Sequence, residues 1–241
     1  MEVLHDLVGF KNLKIYQNTD WFLFSLDSVL LANFVTINKN VKNIIDLGCG
    51  NAPIPLILST KTNAHIIGVE IQKDSYNLAK KSVVYNKLDN QIELINIDMK
   101  ELKKIYNSDS IDIITCNPPY FKYSSNSNIN EDEHKVIARH EKMITLDDIL
   151  LLARYLLKNN GCIAMVHRTD RLIGIINTFQ KYGLEIKKIR FVYPKEGSES
   201  NLVLIEGRKN GKVGLKLLPP LYVHNIDGYT DEVMTLSLIH I

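Results

Sequence analysis

From Asn43 to Arg208 the chain alternates short β-branched apolar runs with longer stretches of helical spacing, and this alternation constrains the fold more than any other feature. Strands are read at Asn43–Leu47, His65–Glu70, Gln91–Ile95, Ser110–Cys116 and Gly161–His167. Helices fill the gaps: Pro53–Ser59 with proline in its first turn, Lys73–Tyr85, Met99–Ile105, Thr145–Leu157 and Arg171–Lys181. Thr145 is placed to cap its helix, with Asp147 and Asp148 in the first turn, and Gly183 is placed to end the next. Successive strand–helix units pack as a parallel sheet with helices on both faces. Leu184–Tyr193 and Asn201–Arg208 have only a turn between them, so they should pair antiparallel. The expected fold is α/β: a seven-stranded, mostly parallel sheet whose last hairpin strand is antiparallel. Residues 1–40 are expected to form an accessory hairpin, near Leu13–Phe24, and a helix from about Asp27 to Val35. They should pack on a core formed by residues 41–241, in one structural domain. No element is read after Lys212.

At 241 residues and 45% hydrophobic, the chain can bury one substantial core. A formal net charge of +2 neither demands nor excludes a nucleic-acid partner. Cys49, Cys116 and Cys162 are far apart, which argues against a disulfide framework and a zinc site. No apolar run reaches the roughly 18 residues of a membrane span. The first residues lack the basic-then-apolar order of a signal peptide, so a cytoplasmic location is expected.

Four motifs follow strand ends, where open α/β sheets bind ligands. The first is Asp46-Leu47-Gly48-Cys49-Gly50-Asn51-Ala52-Pro53, whose glycines permit a sharp turn and close ligand approach. A dinucleotide fingerprint would need a third glycine at position 53, which is proline, so a NAD dehydrogenase is disfavoured. The second is Gly68-Val69-Glu70, with Ile71 following; its acidic residue suits ribose hydroxyls. The third is Ile97-Asp98-Met99, which can meet an adenine amino group and ring, although Asp98 can equally cap the helix after it. The fourth is Asn117-Pro118-Pro119-Tyr120. A conjugated amino nitrogen or an amide nitrogen is a poor nucleophile, because its lone pair is delocalised. The Asn117 side-chain oxygen and the Pro118 carbonyl are two acceptors that can hold such N–H groups and aim the lone pair. The two prolines restrict the backbone around them, and Tyr120 offers a flat stacking face. The chemistry needs neither a metal nor a covalent intermediate.

Together D-L-G-C-G, G-V-E, I-D-M and N-P-P-Y resemble the class I amino-methyltransferases, and within them the bacterial tRNA adenine-N6 methyltransferases that modify adenine 37 of valine tRNA. Phe24-Ser25-Leu26-Asp27-Ser28-Val29-Leu30-Leu31-Ala32 resembles that family's entry segment, and Ala138-Arg139-His140-Glu141 a motif it carries after N-P-P-Y. Asn51-Ala52-Pro53-Ile54-Pro55-Leu56 resembles its loop extension, where the family often has glycine at the position of Ala52. The resemblance implies a Rossmann-like methyltransferase fold and S-adenosylmethionine as cofactor. It implies cofactor contacts from Asp46, Gly48, Gly50, Asn51, Glu70, Ile71, Asp98, Met99 and Asn117, and catalysis by Asn117, Pro118, Pro119 and Tyr120. It implies a single-stranded tRNA loop as substrate, met by Asp27, Arg139 and His140, and a monomer that uses no metal. Glutamine-N5 methylation of a release factor, guanine-N2 methylation of ribosomal RNA and a silent RNA-binding module stay open. Residues 121–145 lack a clear period and are expected to form a lid over the substrate. Arg168, Arg171, Lys187, Lys188, Arg190, Lys195, Arg208, Lys209, Lys212 and Lys216 are expected either to present a phosphate-contacting face or to be solvated surface charge. His167 is expected to be structural.

Overall fold

A computed structural model describes residues 1–7, 10, 12–19, 26–118 and 144–236. The expected lid and Ala138–Glu141 lie outside the described residues.

The central parallel strands are β3 (Asn43–Leu47), β4 (His65–Val69), β5 (Ile92–Ile95), β6 (Ile111–Cys116), β7 (Leu157–Arg168) and β8 (Leu184–Lys195), with β9 (Leu202–Lys209) antiparallel between β7 and β8. Their order is β8-β9-β7-β6-β3-β4-β5. In β3, Ile44, Ile45 and Leu47 are all buried, as expected of a strand covered on both faces. The helices are α1 (Leu26–Phe34), α2 (Pro53–Ser59), α3 (Lys73–Tyr85), α4 (Leu102–Ile105), α5 (Leu146–Leu156), α6 (Leu172–Lys181) and α7 (Asp231–Leu236). Residues of α1, α2, α3 and α7 join one apolar cluster with Ile44, Ile66, Ile113 and Val166. Residues of α4, α5 and α6 join the other with Ile45, Ile67, Ile114 and Met165. The alternation therefore covers both faces of the sheet.

The helix ends follow local chemistry. Thr145 Oγ1 accepts the Asp148 N–H at 3.1 Å, and Asp148 Oδ2 accepts the Thr145 N–H at 3.0 Å, a reciprocal cap for α5. Gly183 follows α6 at φ +63°.

Two expectations need correction. The hairpin pairs β1 (Glu2–Asp6) with β2 (Lys14–Asn18), earlier than Leu13–Phe24. It is held from outside: Asn86, just past the end of α3, exchanges two hydrogen bonds with the Lys14 backbone, and Ser82 Oγ of α3 accepts the Tyr16 N–H at 2.9 Å. The sheet also has ten strands, not seven. β10 (Lys216–Leu217) and β11 (Leu221–Asn225) add in parallel to β8, and β12 (Gly228–Tyr229) pairs with β11. Such short strands carry little periodic signal; the β8 edge offers them unpaired backbone groups, and Leu221 anchors β11 in the core.

Candidate active site

Asp46, Glu70, Asp98 and Asn117 lie at or just beyond the carboxyl ends of β3, β4, β5 and β6, four neighbours in the sheet. The loop after β3 bends back on itself, and the Gly48 and Cys49 N–H groups both donate to the Val69 carbonyl. Gly48 and Gly50 take φ +70° and +57°, a region that favours glycine. A Cβ added at either would meet open space, so the loop presents bare backbone to whatever lies above it. Ala52 also stands at φ +71°, which gives a physical reason for glycine to be common at this position. Asn51 Nδ2 donates to the Tyr16 carbonyl at 2.9 Å, so the N-terminal hairpin braces the loop.

Glu70 is buried, and its carboxylate ties the loop to β4. Oε2 accepts the Gly50 N–H at 2.9 Å and Oε1 accepts the Gln72 N–H at 2.7 Å. A carboxylate has about four acceptor positions, so these bonds are compatible with further donors such as ribose hydroxyls. Asn96, which the sequence did not single out, donates to the Glu70 and Ile71 carbonyls and fixes that turn. Ile71 is 42% exposed, an apolar side chain left at the site's edge. Asp98 caps the turn at Met99–Glu101 by accepting the Lys100 N–H at 2.9 Å, while Met99 packs partly against the core.

Asp46 is 1% exposed. Thr115 Oγ1 donates to Asp46 Oδ1 at 2.6 Å, and Oδ2 has no hydrogen-bond partner. Burial, opposed by the Thr115 hydroxyl and assisted by the nearby Glu70 carboxylate, pushes its pKa up to about 7. An orphaned, buried carboxylate oxygen below a loop of exposed backbone suits a cationic ligand group.

Asn117 Nδ2 donates to Ser28 Oγ on α1 at 3.2 Å. That bond fixes the orientation of the amide, whose nitrogen donates and whose oxygen accepts. Ser28 lies in the segment 24–32, but nothing local in the sequence singles it out as a partner of Asn117. Asp27, its neighbour, lines a shallow pocket with Leu30, Pro194, Asn201 and His224, on the face of the sheet that α1 covers. Pro118 lies beside Asn117; Pro119, Tyr120, Arg139 and His140 lie outside the described residues.

Several of the late basic residues have acidic or carbonyl partners within the protein. Lys188 pairs with Glu206, Arg190 with Glu232, Arg168 with Asp170 and Lys209 with Asp109. Arg208 lies 3.7 Å from Glu206, and Lys187 donates to the Lys212 carbonyl. His167 is part-buried, and its Nδ1 accepts the Arg168 N–H at 2.8 Å, so the ring proton sits on Nε2. Burial, and then Arg171, lower its pKa. Among the described residues no group of three His, Cys, Asp or Glu side chains could hold a metal ion. No described helix is long and apolar enough to cross a membrane.

The glycine loop and the acidic strand ends lie together at the carboxyl edge of a Rossmann-like sheet, with chemistry suited to an adenosine-bearing, cationic ligand. A methyltransferase-domain family model matches residues 38–193, well over half of the chain, and the chain belongs to that family. Its relatives include proteins named tRNA1(Val) (adenine(37)-N6)-methyltransferase from Bacteroides thetaiotaomicron and Aliivibrio salmonicida. The first is 27% identical over 95% of this chain and 94% of its own, the second 26% identical over 88% of each. Among solved structures, a predicted O-methyltransferase from Agrobacterium tumefaciens superposes with a TM-score of 0.70 at 18% identity, covering 88% of this chain and 95% of that one. Geranyl diphosphate C-methyltransferase from Streptomyces coelicolor, solved with S-adenosyl-L-homocysteine, gives 0.54 at 10% identity over 76% and 79%. These distant structures share the fold.

Proposed function

We propose that the chain is an S-adenosylmethionine-dependent methyltransferase acting on the exocyclic N6 of adenine in a single-stranded tRNA loop, the anticodon-loop adenine of valine tRNA. The observation that carries this reading is the position of Asn117 and Pro118, at the end of β6 next to the glycine loop, in a chain whose relatives over most of its length bear adenine-N6 names.

The cofactor fits the residues present. Gly48, Gly50 and Asn51 would hold its methionine end near Asp46, Glu70 would accept from the ribose hydroxyls, and Ile71, Asp98 and Met99 would meet the adenine. When bound, it supplies an electrophilic methyl group on a sulfonium. The protein's own part is positioning. Ser28 holds the Asn117 amide, and the Asn117 oxygen and the Pro118 carbonyl accept the two N6 hydrogens. The nitrogen lone pair then faces the methyl, and orientation supplies most of the rate. Pro119 and Tyr120, outside the described residues, would complete the motif, with Tyr120 offering a stacking face for the base. The N6 proton leaves to solvent or through Asn117. Loop bases are unpaired and can be splayed out at low cost. We place Arg139 and His140 against the RNA, and a flanking nucleotide over the Asp27 pocket. The enzyme acts as a cytoplasmic monomer.

The test is incubation with labelled S-adenosylmethionine and tRNA lacking this modification, followed by nucleoside mass spectrometry. N6-methyladenosine at the anticodon loop is the expected product. N2-methylguanosine, or label found only on a release-factor glutamine, would overturn the reading.

A further inference from the structure

Asp46 has a property that catalysis at Asn117 does not use. It is 1% exposed, its Oδ1 receives one bond from Thr115, and its Oδ2 receives none. The titratable groups acting on it or perturbed by it, among the described residues, are Glu70 beyond the end of β4, Cys49 in the loop after β3 and Cys116 at the end of β6. Both thiols are buried and their pKa values are raised, so they stay neutral. Glu70 is a like charge. No cation is among these neighbours. A lone carboxylate in such a place has two ways to be stable: hold a proton, or face a positive ligand.

We infer that the site exchanges a proton for the cationic methionine end of S-adenosylmethionine: Asp46 is protonated when the site is free of cofactor and ionises as the cofactor's ammonium and sulfonium groups arrive. The balance is simple. One proton leaves the Asp46 carboxyl for solvent, and one positive ligand takes its place. The burial-driven shift of Asp46 to about 7 sets where this matters. Below that pH the proton competes with the cofactor, and above it the carboxylate is already formed. Affinity should therefore weaken by about fivefold from pH 7 to pH 6, where a cofactor α-amino group of ordinary pKa stays protonated. The inference rests on S-adenosylmethionine binding above Asp46 and is independent of the RNA substrate.

The test is calorimetric titration of the whole protein with S-adenosylmethionine at about pH 6, in phosphate and in a buffer of high ionisation enthalpy. The difference in heat counts protons, and release close to one is expected. Asp46→Asn should release none and bind with pH-independent affinity over this range. Thr115→Val removes the one donor that favours the carboxylate and keeps Asp46 itself. It should release more protons at about pH 7 than the parent. Equal heats in the two buffers for the parent protein would overturn the exchange while leaving the cofactor site standing. No binding heat at all would overturn both.

Discussion

Asp46 and Glu206 stand in one cross-strand row, linked by register through Thr115 and Ala164, and both carboxyl groups are buried. Glu206 is supplied with partners: the Thr36 N–H at 2.8 Å, Lys188 at 3.1 Å and Arg208 at 3.7 Å. Lys188 also donates to the Phe34 carbonyl and to Thr36 Oγ1, so this cluster fastens the end of α1 to the sheet. Asp46 has one hydroxyl and an orphaned oxygen. The same residue chemistry thus serves two purposes along one row. At Glu206 the charge is compensated inside the protein and ties elements of the fold together; at Asp46 it has no cation beside it, and there we propose that the cofactor supplies one.

Removing the carboxylate at each end should separate the two purposes. The largest effect on stability is expected from Glu206→Ala, which leaves Lys188 without its partner. A loss of about 3 kcal/mol in urea unfolding is expected, at the low end for a broken buried pair because Lys188 is partly solvated. A change below about 1 kcal/mol would make the cluster ornamental.

Asp46→Asn should behave in the opposite way, with cofactor affinity falling by about tenfold or more in calorimetry. Its stability carries a pH signature. The folded pKa of Asp46 is raised from 3.8 to about 7, so the native state keeps a proton that the unfolded chain has already lost between those values. The parent protein should lose stability as pH rises through that window, and the loss should level off above it. Asn at position 46 carries no such penalty. The substituted protein should therefore gain on the parent as pH rises, compared by urea unfolding at about pH 5 and pH 8. A parallel response of both proteins would place Asp46 with Glu206 as a structural group.

Ser28→Ala asks whether the helix that Glu206 anchors acts through Asn117. A fall in kcat of about three- to tenfold is expected, with cofactor Kd unmoved, from the loss of one orienting hydrogen bond. An unchanged kcat would leave α1 a purely structural cover. The smallest effect belongs to Ala52→Gly, in the loop above Asp46. Relieving φ +71° should stabilise the fold by about 0.5–1 kcal/mol, with neither carboxylate altered.

Features written into neighbouring residues were legible in the sequence. The strand–helix alternation, the Thr145 cap and the positive-φ glycines depend on local periodicity and backbone preference, and the structure places them as expected. Features that depend on distant partners were not. The Ser28–Asn117 bond spans 89 positions, and the tie from Glu206 to Thr36 spans 170. β1 is mostly exposed and owes its place to pairing with β2, which docks on α3, so its own pattern of residues could not reveal it. Asp98 was legible as two things at once, ligand contact and cap, and the cap is the one with a hydrogen bond to support it. The partners of Arg168, Lys188, Arg190 and Lys209 were not legible either, since Glu206, Glu232 and Asp109 are not their sequence neighbours and only Asp170 lies close to its partner in the chain.

The most direct test of the account compares the protein with Asn117→Ala on unmodified tRNA under saturating S-adenosylmethionine, with cofactor occupancy checked by calorimetry and product by nucleoside mass spectrometry. The account predicts N6-methyladenosine from the parent. From the fully occupied variant it predicts a rate lower by about 100-fold or more, since an acceptor that orients the nucleophile is gone. Equal rates from the two proteins, or N2-methylguanosine as the parent's product, would contradict it.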